Sequence, residues 1–315
     1  MKLSDVILEN DDFQSVVVKN EREFETLALC GTDISIPFCT FIDDAKYLDK
    51  VSDFAHMILT TKELENRVVV LGKGYAVSMN PRLDYFKLHN YLAVKSDYKR
   101  KDYDTIISPT AEVSSLSCIS KNNVTIGENC IIEPFVTIYS NVIIGDNVII
   151  RSGARIGGEG FEYKDLKTSI LAVNHIGGVI IGDNVEIQNN SCVDKAIYPW
   201  DDTVLGSNVK IDNLVHIAHG VKIGDCTMVV ANSGIGGRTV IGDNSWIGFS
   251  STIRNGITLG KNARVNMGAV VTKAVMEGES VTGNFAIDHK KFIENLKRQD
   301  GNTNGRIGET DRKRK

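Results

Sequence analysis

The sequence feature that most constrains the fold is an aliphatic residue at every sixth position, set within a longer repeat of eighteen residues. The longer repeat is marked by an aliphatic residue followed by Gly, any residue and usually Asn, a tetrad that begins at Ile126, Ile144, Ile181, Leu205, Ile223, Ile241 and Leu259. From 205 to 271, every sixth residue is Leu, Ile or Val. A period of six matches neither the turn of an α-helix nor the alternation of a long strand. It predicts short strands separated by turns, in which Gly and Asn tolerate positive φ.

Three strand and turn units make one triangular coil of eighteen residues, so the repeat predicts stacked coils that pair only with their neighbours. The aliphatic side chains then fill the interior of a prism. Small or β-branched residues follow four positions later, at Val209, Val215, Val221, Thr227, Ser233, Thr239, Ser245 and Ser251. This pattern predicts a parallel β-helix over residues 105–282.

The two ends of the chain lack the repeat. Residues 1–104 mix strand-like apolar runs, such as Val68–Leu71, with helix-like stretches near 44–54 and 81–93, which indicates a small α/β domain. Residues 283–315 begin with an amphipathic stretch, Asp288–Gln299, and end in a polar, Gly-rich and charged segment. We expect a short C-terminal helix followed by a disordered tail.

Composition excludes several classes of partner. The net charge of −4 provides no basic field for a nucleic acid. No stretch approaches the ~20 consecutive apolar residues of a membrane helix. The first twelve residues carry four acidic side chains where a signal peptide needs an apolar core, which favours a cytoplasmic protein. The six cysteines form no CxxC pair, so we expect structural thiols in a reducing compartment.

The repeat is interrupted twice, between Ile156 and Ile181 and between Val193 and Leu205. The second interruption contains the segment from Tyr198 to Asp202. Long excursions from a rigid scaffold often carry binding residues. We therefore expect both segments to leave a corner of the prism and to border a site.

Two histidines on the β-helix, His216 and His219, occupy outward positions of the repeat. Eighteen residues later the chain has Gly234 and Gly237, so the coil above them lacks side chains. This arrangement predicts a groove in which a substrate lies on backbone. A zinc site would need His175 as a third ligand, and no cluster of carboxylates adjoins it in sequence. We therefore predict no metal ligands here.

Several motifs resemble one acyltransferase family. They are the sequence GGEGFEY at 157–163, the stretches 176–186 and 201–206, and Ile217-Ala-His219 with the residues around it. Together with the hexads, they closely resemble the UDP-3-O-acylglucosamine N-acyltransferases, which are hexapeptide-repeat enzymes of lipid A synthesis. The resemblance implies a left-handed parallel β-helix assembled as a homotrimer. The predicted fold class is thus mainly β, with a small N-terminal α/β domain and a short C-terminal helix.

The resemblance also assigns roles. It implies that His219 is the general base, that the N-terminal domain binds the nucleotide base, and that Phe41 and Tyr47 contact the uracil or thymine ring. Three differences stand out: Asp44 replaces an Asn of the base-binding segment, Ile257 replaces a second family histidine, and the C-terminal extension that handles acyl carrier protein is shortened. These differences favour the related enzymes that acylate a nucleotide-linked amino sugar for surface polysaccharide with a short acyl group carried on coenzyme A.

The predicted activity is N-acyl transfer from a thioester, with short-chain acyl-CoA as co-substrate and no permanently bound cofactor, to the amine of a UDP- or dTDP-linked sugar. Around His219, we expect Gly237 to donate to the oxyanion and Asp212 or Asn213 to orient the ring. We expect His216, Gly234 and Asp44 beside the substrate. The phosphates of coenzyme A are expected to contact Arg254, Lys261 and Arg264. Three alternatives remain open: a lipid A enzyme that uses acyl carrier protein, a metal-dependent hydratase, and an inactive scaffold.

Overall fold

The computed structural model describes residues 1–166, 169–283 and 286–307. Its N-terminal part is an α/β unit built on one five-stranded sheet in the order β1-β5-β4-β3-β2. The strands are β1 Val17–Asn20, β2 Thr26–Leu27, β3 Phe38–Ile42, β4 Ala55–Thr60 and β5 Gly74–Val77; the helices are α1 Leu3–Glu9, α2 Glu65–Val69 and α3 Pro81–Leu92, with 3-10 turns at Asp11–Phe13 and Ala45–Lys50. Strand β1 is antiparallel to β5, and the other pairs are parallel.

Helix α3 is the element of this unit that matters for the site. It begins where Asn80 accepts a hydrogen bond from the Leu83 amide and Pro81 occupies the first turn, which are both favourable helix-start features. Its apolar face, including Tyr85 and Phe86, is buried against the sheet. Near its C-terminal end, α3 carries His89, which contacts the first interruption of the β-helix at Asn174.

Two local predictions in this region need correction. The stretch near 44–54 is only a 3-10 turn, Ala45–Lys50, rather than a full helix. The run Val68–Leu71 is not a strand, because it belongs to α2 and the turn that follows. Of that run only Val68 is fully buried, while Val70 is 83% exposed, so the four residues do not share one buried strand face.

The rest of the chain winds into stacked coils. The strands of the first half are β6 Ile106–Ile107, β7 Glu112–Val113, β8 Cys118–Ile119, β9 Val124–Ile126, β10 Ile131–Ile132, β11 Thr137–Ile138, β12 Val142–Ile144, β13 Ile149–Ile150, β14 Arg155–Gly158, β15 Tyr163–Asp165, β16 Ile170–Ala172, β17 Gly178–Ile181, β18 Glu186–Ile187 and β19 Cys192–Asp194. Those of the second half are β20 Asp202–Leu205, β21 Lys210–Ile211, β22 His216–Ile217, β23 Lys222–Ile223, β24 Met228–Val229, β25 Gly234–Ile235, β26 Val240–Ile241, β27 Trp246–Ile247, β28 Thr252–Ile253, β29 Thr258–Leu259, β30 Arg264–Val265, β31 Val270–Val271 and β32 Ser280–Val281.

These strands form the three faces of the predicted parallel β-helix. One face runs from β6 to β29, a second from β7 to β32 and a third from β8 to β31, each taking every third strand of the coil in turn. The eighteen-residue register is confirmed, since His216 pairs with Gly234 and Ile217 with Ile235 in parallel. The fold prediction is therefore correct: the protein is mainly β, with an N-terminal α/β region and a short C-terminal helix.

The interior of the prism is made by the aliphatic positions of the repeat. Ile126, Ile144, Leu205 and Ile241 are each at most 2% exposed. The turn residue of each tetrad has φ between 54° and 60°, including Cys226, which replaces the usual Asn. The repeat thus encodes both the core and the corners.

Small polar residues also enter the core, and each satisfies its hydroxyl within the stack. The hydroxyl of Ser233 donates to the Gly248 carbonyl at 2.9 Å, and that of Thr227 donates to the Gly242 carbonyl at 3.1 Å. A buried hydroxyl without such a partner is costly. The carbonyls of the next coil therefore explain why Ser and Thr replace Val at these positions.

The first interruption carries the β15 and β16 hairpin, whose antiparallel strands pair Tyr163 with Ala172. Helix α3 holds its return segment: Asn90 donates to the Ala172 carbonyl at 2.7 Å, and His89 Nε2 lies 2.8 Å from the Asn174 carbonyl oxygen. The N-terminal unit thus fixes this excursion against the β-helix.

The second interruption packs against the N-terminal unit, a role that the sequence did not predict. Trp200 donates from its indole to the Leu27 carbonyl at 2.9 Å, and its ring stacks on Tyr198. Arg100 donates to the carbonyls of Pro199 and Asp201, both at 2.8 Å. This segment anchors the N-terminal unit by burying large aromatic rings, and it lines neither of the two cavities described below.

The C-terminal helix, α4 His289–Ile307, is longer than predicted. The sequence predicts disorder after Gln299, whereas the backbone remains helical to Ile307, because intrahelical hydrogen bonds need no tertiary partner. Residues 308–315 of the expected tail lie outside the described residues. Among the helices of the described chain, none combines the length and the apolar composition needed to cross a membrane.

Candidate active site

His219 lies at the corner that follows β22, and its side chain is buried, with the residue only 6% exposed. Its Nε2 lies 3.3 Å from the carboxylate Oε2 of Glu162. Glu162 comes from the first interruption, immediately before the hairpin. The corner of one coil and the excursion from another therefore build a His–carboxylate pair.

The coil above this pair lacks side chains where the eighteen-residue spacing predicts. A Cβ atom built on Gly237 would lie 2.7 Å from both Cε1 and Nε2 of His219, so only glycine leaves the ring in place. A Cβ on Gly234 would meet no atom within 4 Å, which leaves open space above His216. Within the described residues, the Gly237 N–H has no hydrogen-bond acceptor.

Glu162 is surrounded by cations. It forms ion pairs with Lys164 and with Arg238, whose Nη2 is 3.5 Å from Oε2. Burial by itself would raise the pKa of this carboxyl. The hydrogen bonds of His219 and Lys164 and the charges of Arg238 and Lys164 outweigh burial and lower the pKa of Glu162 to about 2. Glu162 is therefore ionised at any working pH and is suited to stabilise a protonated His219.

Behind His219 lies a second buried group, formed by His175 and Asp194. The His175 ring packs edge-on to the His219 ring, with centroids 5.4 Å apart. Burial and the neighbouring His219 lower the pKa of His175 to about 4, and burial raises the pKa of Asp194 to about 7. Asp194 Oδ2 also lies 3.8 Å from Nε2 of the exposed His216. A Cβ on Gly160 would approach His175, Asp194 and His219 together at 3.0 to 3.2 Å, so a larger residue here would press on all three side chains.

A cavity of about 340 Å³ on the face formed by β18, β21, β24 and β27 is lined by residues that include Asp212 and Trp246, and neither His219 nor Glu162 lines it. The cavity that contains the pair is smaller, about 240 Å³. It is lined by Phe161, Glu162, His216, Ala218, His219, Gly237, Arg238 and Asn255. The predicted groove beside the two histidines is therefore present, and its walls are mainly polar.

A neighbouring cavity of about 170 Å³ opens between the N-terminal unit and the excursion. Its walls include Phe41, Tyr47 and Arg82, and it shares Glu162 and Arg238 with the His219 cavity. The Arg82 guanidinium stands over the Phe41 ring at 5.2 Å. The two aromatic residues that the resemblance assigns to base binding are thus adjacent to the predicted general base.

Asp212 and Asn213 do not contact the His219 ring, contrary to expectation. Asp212 accepts hydrogen bonds from the amides of Asn213 and Ala231, at 2.7 and 3.1 Å. Asn213 accepts from Asn189 at 3.0 Å. Both side chains hold the preceding corner of the prism together, and the position that orients His219 is occupied by Glu162 instead.

Asp44 also lies outside both cavities. Its carboxylate accepts a hydrogen bond from the Lys46 amide at 3.0 Å and forms an ion pair with the Lys46 side chain at 2.7 Å. It caps the turn that carries Tyr47. Its contribution to the base cavity is therefore to position that turn.

The three basic residues predicted for coenzyme A do not share one surface of the chain. Arg254 follows β28 on the face that carries His216. Lys261 lies at a different corner, where it pairs with Asp243 at 2.8 Å. Arg264 lies on the face of β30, with its guanidinium over the Trp246 ring. Of the three, only Arg254 adjoins the coil that closes the His219 cavity.

The described residues contain no group of three or more His, Cys, Asp or Glu side chains arranged to hold a metal ion. His175 does approach His219, but the two rings meet edge to face. His175 is thus held by packing, and neither of its ring nitrogens has a hydrogen-bond partner within the described residues.

Sequence reasoning missed Glu162, Asp194 and Arg238 as site residues. Glu162 lies in the quoted motif at 157–163, but nothing in the sequence indicates which corner that segment covers. Arg238 had a detectable signal: it occupies the turn position where the repeat usually has Asn, and its φ is 58°. A charged residue at a structural turn was reason to suspect a second role.

Comparison with known proteins places the chain among hexapeptide-repeat proteins. The bacterial transferase hexapeptide (six repeats) family matches residues 123–158 and 202–237, and the hexapeptide repeat of succinyl-transferase matches 171–195 and 238–273. A UDP-3-O-acylglucosamine N-acyltransferase of Coxiella burnetii is 38% identical over 223 residues, 62% of this chain and 64% of that protein. One of Pseudomonas fluorescens is 42% identical over 110 residues, 35% of this chain and 31% of that protein.

Among solved structures, a UDP-N-acetylglucosamine acyltransferase from Campylobacter jejuni aligns with a TM-score of 0.49 and 20% identity, covering 62% of this chain and 81% of that one. The chain spans between about a third and two thirds of the length of the two curated relatives above. Over its β-helix, the chain is thus similar in sequence to bacterial hexapeptide transferases and to the UDP-3-O-acylglucosamine N-acyltransferases.

Proposed function

We propose that this protein transfers an acyl group from a thioester to the amine of a nucleotide-linked amino sugar, with His219 as the general base. The observation that carries the proposal is the His219–Glu162 pair beneath Gly237, beside a cavity lined by Phe41 and Tyr47. One cavity fits the reacting amine, and the adjoining one fits a nucleotide base. A catalytic centre and a recognition site thus lie next to each other.

The chemistry follows from the amine. As its nitrogen attacks the thioester carbonyl, a C–N bond forms and the nitrogen must lose a proton. His219 accepts that proton, since imidazole is the side chain most often used as a general base in proteins. The negative charge of Glu162 stabilises the imidazolium that results. The C–S bond then breaks, and the thiolate leaves as it takes up a proton.

The tetrahedral intermediate carries its negative charge on the former carbonyl oxygen. The Gly237 N–H, which donates to no other group within the described residues, is the proposed donor to this oxygen. It lies on the same coil segment that covers the His219 ring.

A short-chain acyl-CoA is the proposed donor. The cavity at His219 is small and mainly polar, which suits a short acyl group better than a C12 to C16 chain. Of the three basic residues predicted for coenzyme A, only Arg254 adjoins the coil that closes this cavity, and it is the candidate for contacting a phosphate of coenzyme A. The alternative is a lipid A enzyme that uses acyl carrier protein, and what supports it is the UDP-3-O-acylglucosamine acceptor in the names of the relatives.

We infer further, from the resemblance, that the enzyme works in the cytoplasm as a homotrimer and that its product enters surface polysaccharide. UDP and dTDP both fit the proposal, because either base presents one pyrimidine ring to Phe41 and Tyr47. The position of the amine on the sugar is left open.

The test is a screen of UDP- and dTDP-linked amino sugars with acetyl-CoA and hydroxybutanoyl-CoA, read by thiol release and by the mass of the product. The expected product is heavier by one acyl group on nitrogen. Activity confined to a C12 to C16 acyl carrier protein and a UDP-linked acylglucosamine would support the lipid A alternative. Absence of thiol release with every donor would favour an inactive scaffold, and stoichiometric zinc in active protein would favour a hydratase.

A further inference from the structure

We propose that Lys164 and Arg238 bind the diphosphate of the nucleotide-linked sugar, and that Glu162 occupies their place while the site is empty. The inference rests on the proposed function and adds a site that neither the repeat nor the resemblance assigns. It concerns the point at which the two cavities meet.

The first argument is position. Arg238 and Glu162 line both cavities, and Lys164 lines the one with Phe41 and Tyr47. In a nucleotide-linked sugar, the diphosphate is the group that joins the nucleoside to the sugar. With the base beside Phe41 and the sugar amine at His219, the diphosphate must cross this junction.

The second argument is unused hydrogen-bonding capacity. Arg238 Nη2 is buried and has no hydrogen-bond acceptor within the described residues; its 3.5 Å approach to Glu162 is an ion pair only. A buried guanidinium nitrogen without an acceptor is costly. The Lys164 ammonium lies 4.0 Å from the centre of the Phe86 ring and pairs with the same carboxylate. Two cations thus converge on one carboxylate, an arrangement that suits phosphate oxygens.

The third argument comes from the backbone. Arg238 has a positive φ of 58° at a turn position of the six-residue repeat, and the residues stacked directly below and above it, eighteen positions away, are Gly220 and Gly256. Gly and Asn adopt this conformation more readily than Arg. The turn conformation does not require Arg, so the presence of a guanidinium at this position needs a reason other than folding.

The consequence is a competition. A diphosphate that binds Lys164 and Arg238 displaces the Glu162 carboxylate from both cations, while the 3.3 Å contact of Glu162 with His219 remains available. Occupation of the acceptor site would then leave His219 as the partner of Glu162.

The substitutions Arg238→Asn and Lys164→Gln test this directly, with calorimetric titration of UDP and dTDP into the full-length protein. Each should weaken nucleotide diphosphate binding roughly tenfold or more, the effect of losing one charge-assisted hydrogen bond. Binding of uridine or thymidine, followed by ligand-observed NMR, should change less than twofold. Arg238→Asn should unfold at no lower a temperature than the wild type, since it restores the residue that the turn favours.

Two further variants sharpen the result. Glu162→Gln removes the competing carboxylate and should bind the diphosphate as tightly as the wild type or more tightly, although it loses activity. Arg67→Gln, on the exposed surface of α2, removes one positive charge away from the cavities and should bind as the wild type does.

Equal affinity of wild type and Arg238→Asn for UDP and dTDP would overturn the inference, as would an equal loss of nucleoside binding. Failure of the proposed function has a different signature: nucleotide diphosphates bind and depend on Arg238, but no acyl donor releases thiol. Binding and turnover thus separate the two proposals.

Discussion

Replacing Gly237 with Ala adds a methyl group against the imidazole of His219. The new Cβ would lie 2.7 Å from Cε1 and Nε2, whereas an ordinary contact begins at 3.4 Å. The coil backbone is fixed by its ladder, so the ring must move by roughly 0.7 Å, and its contact with Glu162 must change. Misplacement of a catalytic group by about 1 Å can cost on the order of a hundredfold in rate. We therefore expect kcat to fall about ten- to hundredfold while the protein stays folded.

The assay is initial-rate thiol release at saturating donor and acceptor, with circular dichroism and thermal unfolding as checks of the fold. Gly234→Ala is the matched comparison, because its Cβ meets no atom within 4 Å and leaves His219 in place. Any loss in that variant should appear in KM rather than in kcat. A Gly237→Ala enzyme that keeps more than half of the wild-type kcat would refute the argument from the stacked coils.

Three other outcomes are expected. His219→Ala should lower kcat by ~10² to 10⁴, the usual contribution of a general base, and a residual rate above a tenth of wild type would contradict the assignment. His216→Ala should cost less, because that exposed ring does not contact Glu162; equal and severe losses from both variants would mean that the histidines act jointly. Burial and the nearby His219 lower the pKa of His175 to about 4, so its neutral ring contributes stability that is lost as pH falls from 6.5 towards 4. Between pH 7 and pH 5, the free energy of unfolding measured by denaturant titration should fall by about 2 kcal/mol less in His175→Gln than in the wild type. An equal fall in the two proteins would exclude this contribution of His175.

The β-helix could be predicted from the sequence because its physical cause is local. Each aliphatic residue marks one strand, each Gly-x-Asn marks one corner, and the spacing of eighteen fixes which residues stack. The pairing of His216 with Gly234 and the position of Gly237 over His219 follow from that register alone. The candidate site could be placed for the same reason.

The residues around His219 could not be predicted, because they come from segments where the repeat is broken. Glu162 and His175 reach the site through a hairpin whose course is set by contacts with α3. Asp212 lies only seven residues before His219, yet it faces another corner, since seven residues along a coil lead around the prism. Where the repeat is broken, the separation of two residues along the chain does not predict the distance between them in the fold.

The two interruptions have a consequence for how such a protein can be redesigned. Ile144 pairs with Ile181, and Ile181 with Leu205, in the same ladder that elsewhere joins residues eighteen apart. The first interruption therefore adds nineteen residues and the second adds six, and both are accommodated at corners without shifting the register of the coils that follow. Because the proposed general base belongs to the coil and its carboxylate partner to the first excursion, we expect that grafting this excursion from a relative exchanges the substrate contacts while the packed prism is kept. The scaffold and the recognition loops are in this sense separate modules of one chain.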